Sequence, residues 1–246
     1  MFSPIVPSFT RRTPPDHLRK YFQYSEIDWG ILNPSEVAVI DGNRSIINLQ
    51  KKEILFGDGN TTQGVFKVIK GRIKLFIRMP DGAEQIVLIY SVGESFGFRH
   101  LLAEENNSTA IASALEASQV EFIPANLFME VLSKSPQLNQ HLLTLLCRES
   151  TIWSNRMAFV AQKDVKQKIA LTLLLLNERF KPANSIVKTA SIHISKTDLS
   201  SMIGSSLETV IRALKKFSDE SLIIMKGKNM VIKNERELIR LAGLES

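Results

Sequence analysis

The sequence predicts an α+β fold: a double-stranded, jelly-roll-like β-roll, then one long helix, then a compact helical module closed by a β-hairpin. Three observations predict it. Between Ile46 and Pro124, short alternating apolar runs recur between glycine- and proline-bearing turns. From Ser135 to Gln162 the apolar residues fall instead at three- and four-residue steps. Beyond Asp164 the helical period continues while the charge balance turns basic.

Residues 1–25 carry four of the nine prolines and read as an irregular lead-in. A short helix is expected near Pro34–Val39. The runs IINLQ, EILF, GVFKVIKG, RIKLFIRM, QIVLIYSV, TAIASALEA and QVEFIP then follow, divided by GDGN, KGR, PDGAE and VGES. Gly, Asn and Asp tolerate the left-handed backbone that tight turns need, so these dividers read as hairpin connections. Many short strands at regular spacing form a sandwich or roll.

The long helix carries two apolar stripes. One runs Leu138, Leu142, Leu145, Ile152, Phe159; the other runs Leu143, Leu146, Trp153, Met157, Val160. A helix apolar on two faces needs two partners. The first stripe suits the chain's own roll. The second suits a copy of itself, as in a two-stranded coiled coil, so the chain is expected to be a homodimer. Asn139 and Ser150 are polar positions within that second stripe and suit an interface of fixed register. Cys147 falls between the stripes and is expected to be a small buried apolar residue. Asp164 reads as the N-cap of a helix from Val165 to Phe180, which ends at Lys181-Pro182. The expected domains are 1–134 (lead-in and roll), 135–163 (dimerisation helix and hinge) and 164–246 (C-terminal module).

Composition narrows the function classes. With 246 residues the chain can bury two modest cores. A single cysteine excludes an internal disulfide framework and any four-thiolate iron–sulfur site. Apolar runs fall far short of the roughly 20 residues a spanning helix needs, and no secretory signal is evident. A cytoplasmic location without membrane contact is expected. Residues 151–246 hold 16 Lys+Arg against 9 Asp+Glu, a net +7, whereas residues 1–150 hold 15 against 16, a net −1. That asymmetry points to a polyanion partner, nucleic acid before membrane. His17, His100, His141 and His193 are scattered, without an H-x-H or H-E-x-x-H pair. A metal-dependent roll enzyme is therefore not expected, and neither catalytic residues, a metal nor a cofactor is assigned. A haem ligand at His100 would rest on one residue.

ISKTDLSSMIGSSLETVIRALKKF, Ile194 to Phe217, is the most informative stretch. Leu199, Met202 and Ile203 make one helix face, and Gly204 permits a tight turn. Ser205 reads as the N-cap of the next helix, with Glu208 three residues on completing a capping box. Val210, Leu214 and Phe217 face inward. This is a helix-turn-helix whose recognition element runs Ser206–Ser218. SLIIMKGKNMVI, Ser221 to Ile232, reads as two strands about a Lys-Gly-Lys-Asn turn, a wing. Ser206, Leu207, Glu208, Ile211, Arg212 and Lys215 point outward. Arg takes both acceptors of a guanine edge and Glu accepts from a cytosine amino group, so Glu208 and Arg212 are the base-reading candidates, flanked by Leu207 and Ile211. Ser206, Lys215, Lys226 and Lys228 are assigned to phosphates of double-stranded DNA.

With these residues in view, the chain resembles the CRP/FNR-type bacterial transcription regulators from about Ile46 onward. The resemblance is carried by ILFGDG, VFKVIKGRIKLFI, the DG of PDGAE, GESFG, the long helix, DVKQKIALTLLLL and the spaced I…L…G-x-S-x-E-T-V-x-R pattern. It implies a cyclic-nucleotide-type roll, a dimerisation helix, a winged helix-turn-helix and RNA polymerase as a further partner. It also implies that Glu208 and Arg212 read a TGA-like core. The arginine that cAMP-responsive members place before the Glu is Leu207 here. The serine that FNR-type members often place before the Arg is Ile211.

The resemblance assigns an effector region to Gly93, Glu94, Gly97, Phe98, Arg99, His100, Ser108 and Thr109, facing Trp153 and Ser154 of the long helix. Where cAMP-binding members hold the ribose with Glu and the cyclic phosphate with an Arg-Ser pair, this chain has Phe98, Ser108 and Thr109. Loss of cAMP recognition is expected, with a pocket either collapsed around Phe98 and Trp153 or open to a less charged ligand. The effector is unknown.

Overall fold

The computed structural model describes residues 13–57, 62–103, 109–182 and 187–245 and divides into two compact units. The first comprises Tyr24–Gly82 and Val87–Arg148. The second comprises Ala83–Ile86 and the chain from Glu149 on, together with the lead-in residues 13–23.

In the first unit, α1 (Pro34–Asp41) starts on a reciprocal capping box. The Asn33 side chain accepts from the Ser35 and Glu36 amides, and Glu36 accepts from the Asn33 amide. The strands follow: β1 (Ser45–Leu49), β2 (Ile54–Phe56), β3 (Gly64–Lys70), β4 (Ile73–Arg78), β5 (Glu84–Tyr90, of which Val87–Tyr90 belong to this unit) and β6 (Ser95–Phe96). After α2 (Phe98–Leu102) come β7 (Ala110–Ala114), β8 (Ser118–Pro124) and α3 (Ala125–Lys134). They form two four-stranded sheets, β1-β8-β3-β6 and β2-β7-β4-β5. Antiparallel register runs Val65↔Ile123 to Val68↔Val120 in one sheet and Ile73↔Ala114 to Ile77↔Ala110 in the other. The expected roll is present. Strand β6 was not read from the sequence, because two residues inside GESFG carry no alternation.

One core lies among the strands and is rich in rings. Tyr90 stacks on Phe96 at 4.7 Å, Phe96 on Phe66 at 5.4 Å and Phe66 on Phe56 at 5.5 Å. A second gathers Ile27, Trp29, Phe98, Phe128 and Val131 with Leu138, Leu142 and Leu145. The last three belong to α4 (Pro136–Gln162). The first apolar stripe thus meets the chain's own roll unit over its N-terminal half, as expected.

In the second unit, α5 (Val165–Phe180) opens as expected on Asp164, which accepts from the Gln167 amide while Gln167 returns to the Asp164 amide. Nearly all of α5 beyond Lys168 is buried, including Asn177, Glu178 and Arg179. Then come β9 (Ile192–His193), α6 (Lys196–Ile203), α7 (Leu207–Asp219), β10 (Ile223–Lys226), β11 (Asn229–Ile232) and α8 (Glu235–Ala242), with a small sheet in the order β10-β11-β9.

From residue 13 the lead-in is largely irregular, as expected, and it is anchored. Leu18 and Phe22 are buried, and a 3-10 turn covers Asp16–Leu18. Arg179 lies 4.8 Å over the Phe22 ring and donates to the Gln23 carbonyl at 3.0 Å. Arg156 donates to the Tyr21 carbonyl at 2.7 Å, and the Tyr21 ring meets Phe159 edge-on at 5.4 Å. The last residue of the first stripe therefore packs on the lead-in. Burial, with Arg179 adding repulsion, pushes the Arg156 guanidinium down to about 10.

Candidate functional site

Ser195 caps α6 by accepting from the Asp198 amide, and Leu199 and Ile203 bury the inner face. The helix ends at Gly204, whose φ of 68° lies in the left-handed region that a side chain disfavours. The next helix starts one residue later than the sequence suggested. Ser206, not Ser205, is the N-cap: its hydroxyl accepts from the Thr209 amide at 3.2 Å and meets the Thr209 hydroxyl at 2.8 Å. Ser205 instead donates its amide to the Ser200 carbonyl. Thr209 occupies the third helical position, so Glu208 completes no capping box. The bland account of Glu208 as a cap is removed.

Helix α7 buries Val210, Ala213, Leu214 and Phe217 and exposes Leu207, Glu208, Ile211, Arg212 and Lys215. At 3.6 residues per turn, Glu208, Arg212 and Lys215 centre the outer face. Leu207 and Ile211 form one flank, and Thr209 and Lys216 form the other. The second flank adjoins an open hollow of about 420 Å³ lined by Asp164, Val165 and Lys166 at the start of α5 and by Thr209, Arg212, Ala213 and Lys216. Lys166 and Lys216 thus sit beside Arg212 on a basic edge that the motif reading missed. Strands β10 and β11 pair from Ile223↔Ile232 to Lys226↔Asn229, leaving Gly227 and Lys228 as a two-residue tip with Lys226 and Lys228 exposed.

In the first unit Glu94, Gly97 and Phe98 are built into the roll. Gly97, at φ 92°, has no room for a side chain: a Cβ would lie 2.5 Å from the Gly64 carbonyl. Phe98 is fully buried in the core that holds Trp29 and Phe128. Glu94 is fully buried and accepts from the Ser25 and Ser91 amides, each at 2.7 Å. Arg99 donates to the Tyr90 hydroxyl at 2.8 Å, and the His100 ring stands edge-on to Phe56 at 6.0 Å. Thr109 is exposed, while Ser108 lies outside the described residues. Trp153, half-buried with Arg156 5.5 Å from its ring, and Ser154, whose hydroxyl donates to Ser150, belong to the second unit.

Along α4 the second stripe is open in the single chain: Leu143 is 57% exposed, Met157 70% and Val160 51%, with Leu146 and Trp153 half-buried. The Asn139 side-chain amide donates to the Leu132 and Ser135 carbonyls of its own chain. Cys147 is exposed rather than buried. Among the described residues, no three His, Cys, Asp or Glu side chains gather where they could hold a metal, and no helix is long and apolar enough to cross a membrane.

Residues 46–135 match the family model of the cyclic nucleotide-binding domain, and residues 167–241 match the Crp-like helix-turn-helix domain. The chain is 30% identical over 195 residues to the transcriptional activator protein anr of Pseudomonas aeruginosa, covering 79% of each chain. It is 28% identical over 217 residues to the fumarate and nitrate reduction regulatory protein of Vibrio cholerae, covering 87% of this chain and 85% of that one. Among solved structures, FixK2 from Bradyrhizobium japonicum superposes with a TM-score of 0.70 at 20% identity, covering 81% of this chain and 97% of that one, a likeness of fold. A roll, a long helix and a capped helix-turn-helix with a wing thus coincide with both domain matches and with regulators at up to 30% identity, and the chain belongs to the CRP/FNR family of transcription regulators.

Proposed function

We propose that the chain works as a homodimer, joined along the second stripe of α4, that reads an inverted DNA repeat with a TGA-like core without needing cAMP. In this reading residues 1–134 form the sensor, 135–163 the dimer helix and hinge, and 164–246 the DNA-binding domain, with RNA polymerase as a further partner. The observation that carries it is the outer face of α7. Its cap is supplied by Ser206 and Thr209, which leaves Glu208 and Arg212 exposed side by side at the centre of a basic surface. Two-fold symmetry sets two such helices about 34 Å apart, one turn of DNA.

Arg212→Ala should weaken binding to the selected repeat by about 1–3 kcal/mol and relax preference at one base pair per half-site. Lys228→Ala should instead weaken all duplexes alike and flatten the salt dependence. Site selection with both variants separates the roles. An Arg212 variant with full discrimination would overturn the assignment.

Several features support independence from cyclic nucleotides. Phe98 stands where a ribose acceptor would be and is locked in a core, and Arg99 is engaged by Tyr90. Burying a cyclic phosphate without a cation costs several kcal/mol. Calorimetric titration with cAMP and cGMP should show no micromolar binding, and DNA affinity should be unchanged by either. Micromolar affinity for either nucleotide would refute this part.

A further inference from the structure

The chain passes from the lead-in into the roll without slack. Lys20 and Tyr21 hold α4: the Lys20 carbonyl accepts from the Asn155 side-chain amide at 3.0 Å, and the Tyr21 carbonyl accepts from Arg156 at 2.7 Å. The next two residues hold α5. Phe22 is buried under the Arg179 guanidinium, and the Gln23 carbonyl accepts from the same arginine at 3.0 Å. Ser25 then belongs to the first unit. Its amide donates to Glu94 and its carbonyl accepts from the Ser95 amide, each at 2.7 Å. Its hydroxyl donates to the Ser95 carbonyl at 3.1 Å. Ile27 and Trp29 follow, buried in the core that holds Phe98.

We infer that Lys20–Ser25 is a tether that couples the Gly93–Arg99 turn of the roll to the junction between α4 and α5. Tyr24 alone stands between an anchor on the second unit and an anchor on the first. One extended residue spans at most about 3.6 Å, so the backbone there has no length to give. Residues 22–28 are neither helix nor strand, and what fixes them is these bonds. A displacement of the turn that carries Glu94 and Ser95 must therefore pull Gln23 off Arg179 or take α5 with it. The grip is strong for its size, because Arg156 and Arg179 are charged donors and charge-assisted bonds are the stronger kind. It also straddles the junction: Lys20 and Tyr21 bond the helix that ends at Gln162, and Gln23 bonds the helix that begins at Val165. Helix α5 opens the stretch that matches the helix-turn-helix domain. The two states of the device are the tether seated and the tether released, and both the turn and the junction bias that equilibrium. This coupling goes beyond the DNA-reading role and holds whatever sequence the module reads.

The test uses the full-length protein and hydrogen exchange followed by mass spectrometry. Glu94→Gln disturbs the roll end of the tether, and the reading is taken at residues 13–23 and 165–181. Exchange there should rise about tenfold, the scale of one buried hydrogen bond lost from a local opening. A second protein carries a flexible Gly-Ser linker of about six residues between Gln23 and Tyr24, which keeps every anchor and adds up to about 20 Å of slack. In that protein residues 13–23 should keep the parent's protection, and Glu94→Gln should alter their exchange by less than about twofold. Arg156→Gln is the reciprocal variant, read at the peptides containing Ser25 and Ser95, with the same dependence on the linker. It decides the matter if Glu94→Gln unfolds the roll. An unchanged lead-in in the folded Glu94 variant, or an effect that crosses the linker undiminished, would overturn the tether. So would loss of protection over residues 13–23 on inserting the linker alone, because the second unit would then not hold the segment by itself.

Discussion

A chain carrying both Leu143→Asp and Met157→Asp should sediment as a folded monomer and lose roughly 10²–10⁴-fold in affinity for its repeat. The two residues are 57% and 70% exposed in the single chain, so neither substitution empties a core. Exposed changes of this kind usually alter stability by no more than about 0.5 kcal/mol. Across a two-fold seam the same carboxylates would lie unpaired in an apolar interface, where each costs several kcal/mol. Leu146 is the poorer probe because it also packs against its own roll core. The loss in DNA affinity follows from tethering. In a dimer the second half-site is bound intramolecularly, and dissolving the dimer forfeits an avidity of about 10²–10⁴. Sedimentation velocity at low micromolar protein, with circular dichroism as a check on folding, decides the matter. A double variant that stays dimeric would place the seam elsewhere.

The roll, the long helix and the helix-turn-helix were legible because each announces itself in a different period. Alternation marked β3, β4 and β8; three- and four-residue steps marked α4; a glycine followed by Ser-Ser marked the turn before α7. Other features were not legible, for physical reasons. Ser205 and Ser206 both suit an N-cap by residue type, and only the backbone decides: Ser206 has the extended φ −61°, ψ 144° that lets its hydroxyl reach the Thr209 amide. The lead-in conceals two anchors, Leu18 and Phe22, in a proline-rich text without a period. Their partners lie far along the chain, since Arg156 and Arg179 bond carbonyls 135 and 156 residues away. Cys147 follows Leu145 and Leu146, and the sequence could not show which side of two adjoining stripes it would take. The outward positions Glu208, Arg212 and Lys215 were legible because α7 is strongly amphipathic. The hydrogen bonds of Glu94 to the Ser25 amide and of Arg99 to Tyr90 were not legible, because both partners lie outside the motif that drew attention to those residues.

Glu94→Ala should destabilise the roll unit by about 2–6 kcal/mol, because it strands two buried amide donors at about 1–3 kcal/mol each. The carboxylate is fully buried, one oxygen accepting from Ser25 and the other from Ser91. It therefore joins the turn before β6 to the chain entering the roll, a contact 69 residues apart in sequence. Glu94→Gln is the informative intermediate. Its carbonyl still serves one amide, but its NH2 faces the other as donor against donor, so about half of the loss should remain. The protein has two tryptophans, and Trp29 is fully buried in the first unit's core. In a Trp153→Phe background its fluorescence follows that unit alone, which matters because two units need not unfold together. Urea titration should show the midpoint falling in the order parent, Gln, Ala. If Glu94→Ala unfolds within about 1 kcal/mol of the parent, the amides have found other acceptors and Glu94 is not the clamp the geometry makes it. The carboxylate would then be available to a ligand, and the region Gly93–Thr109 would regain its claim to be a working effector site.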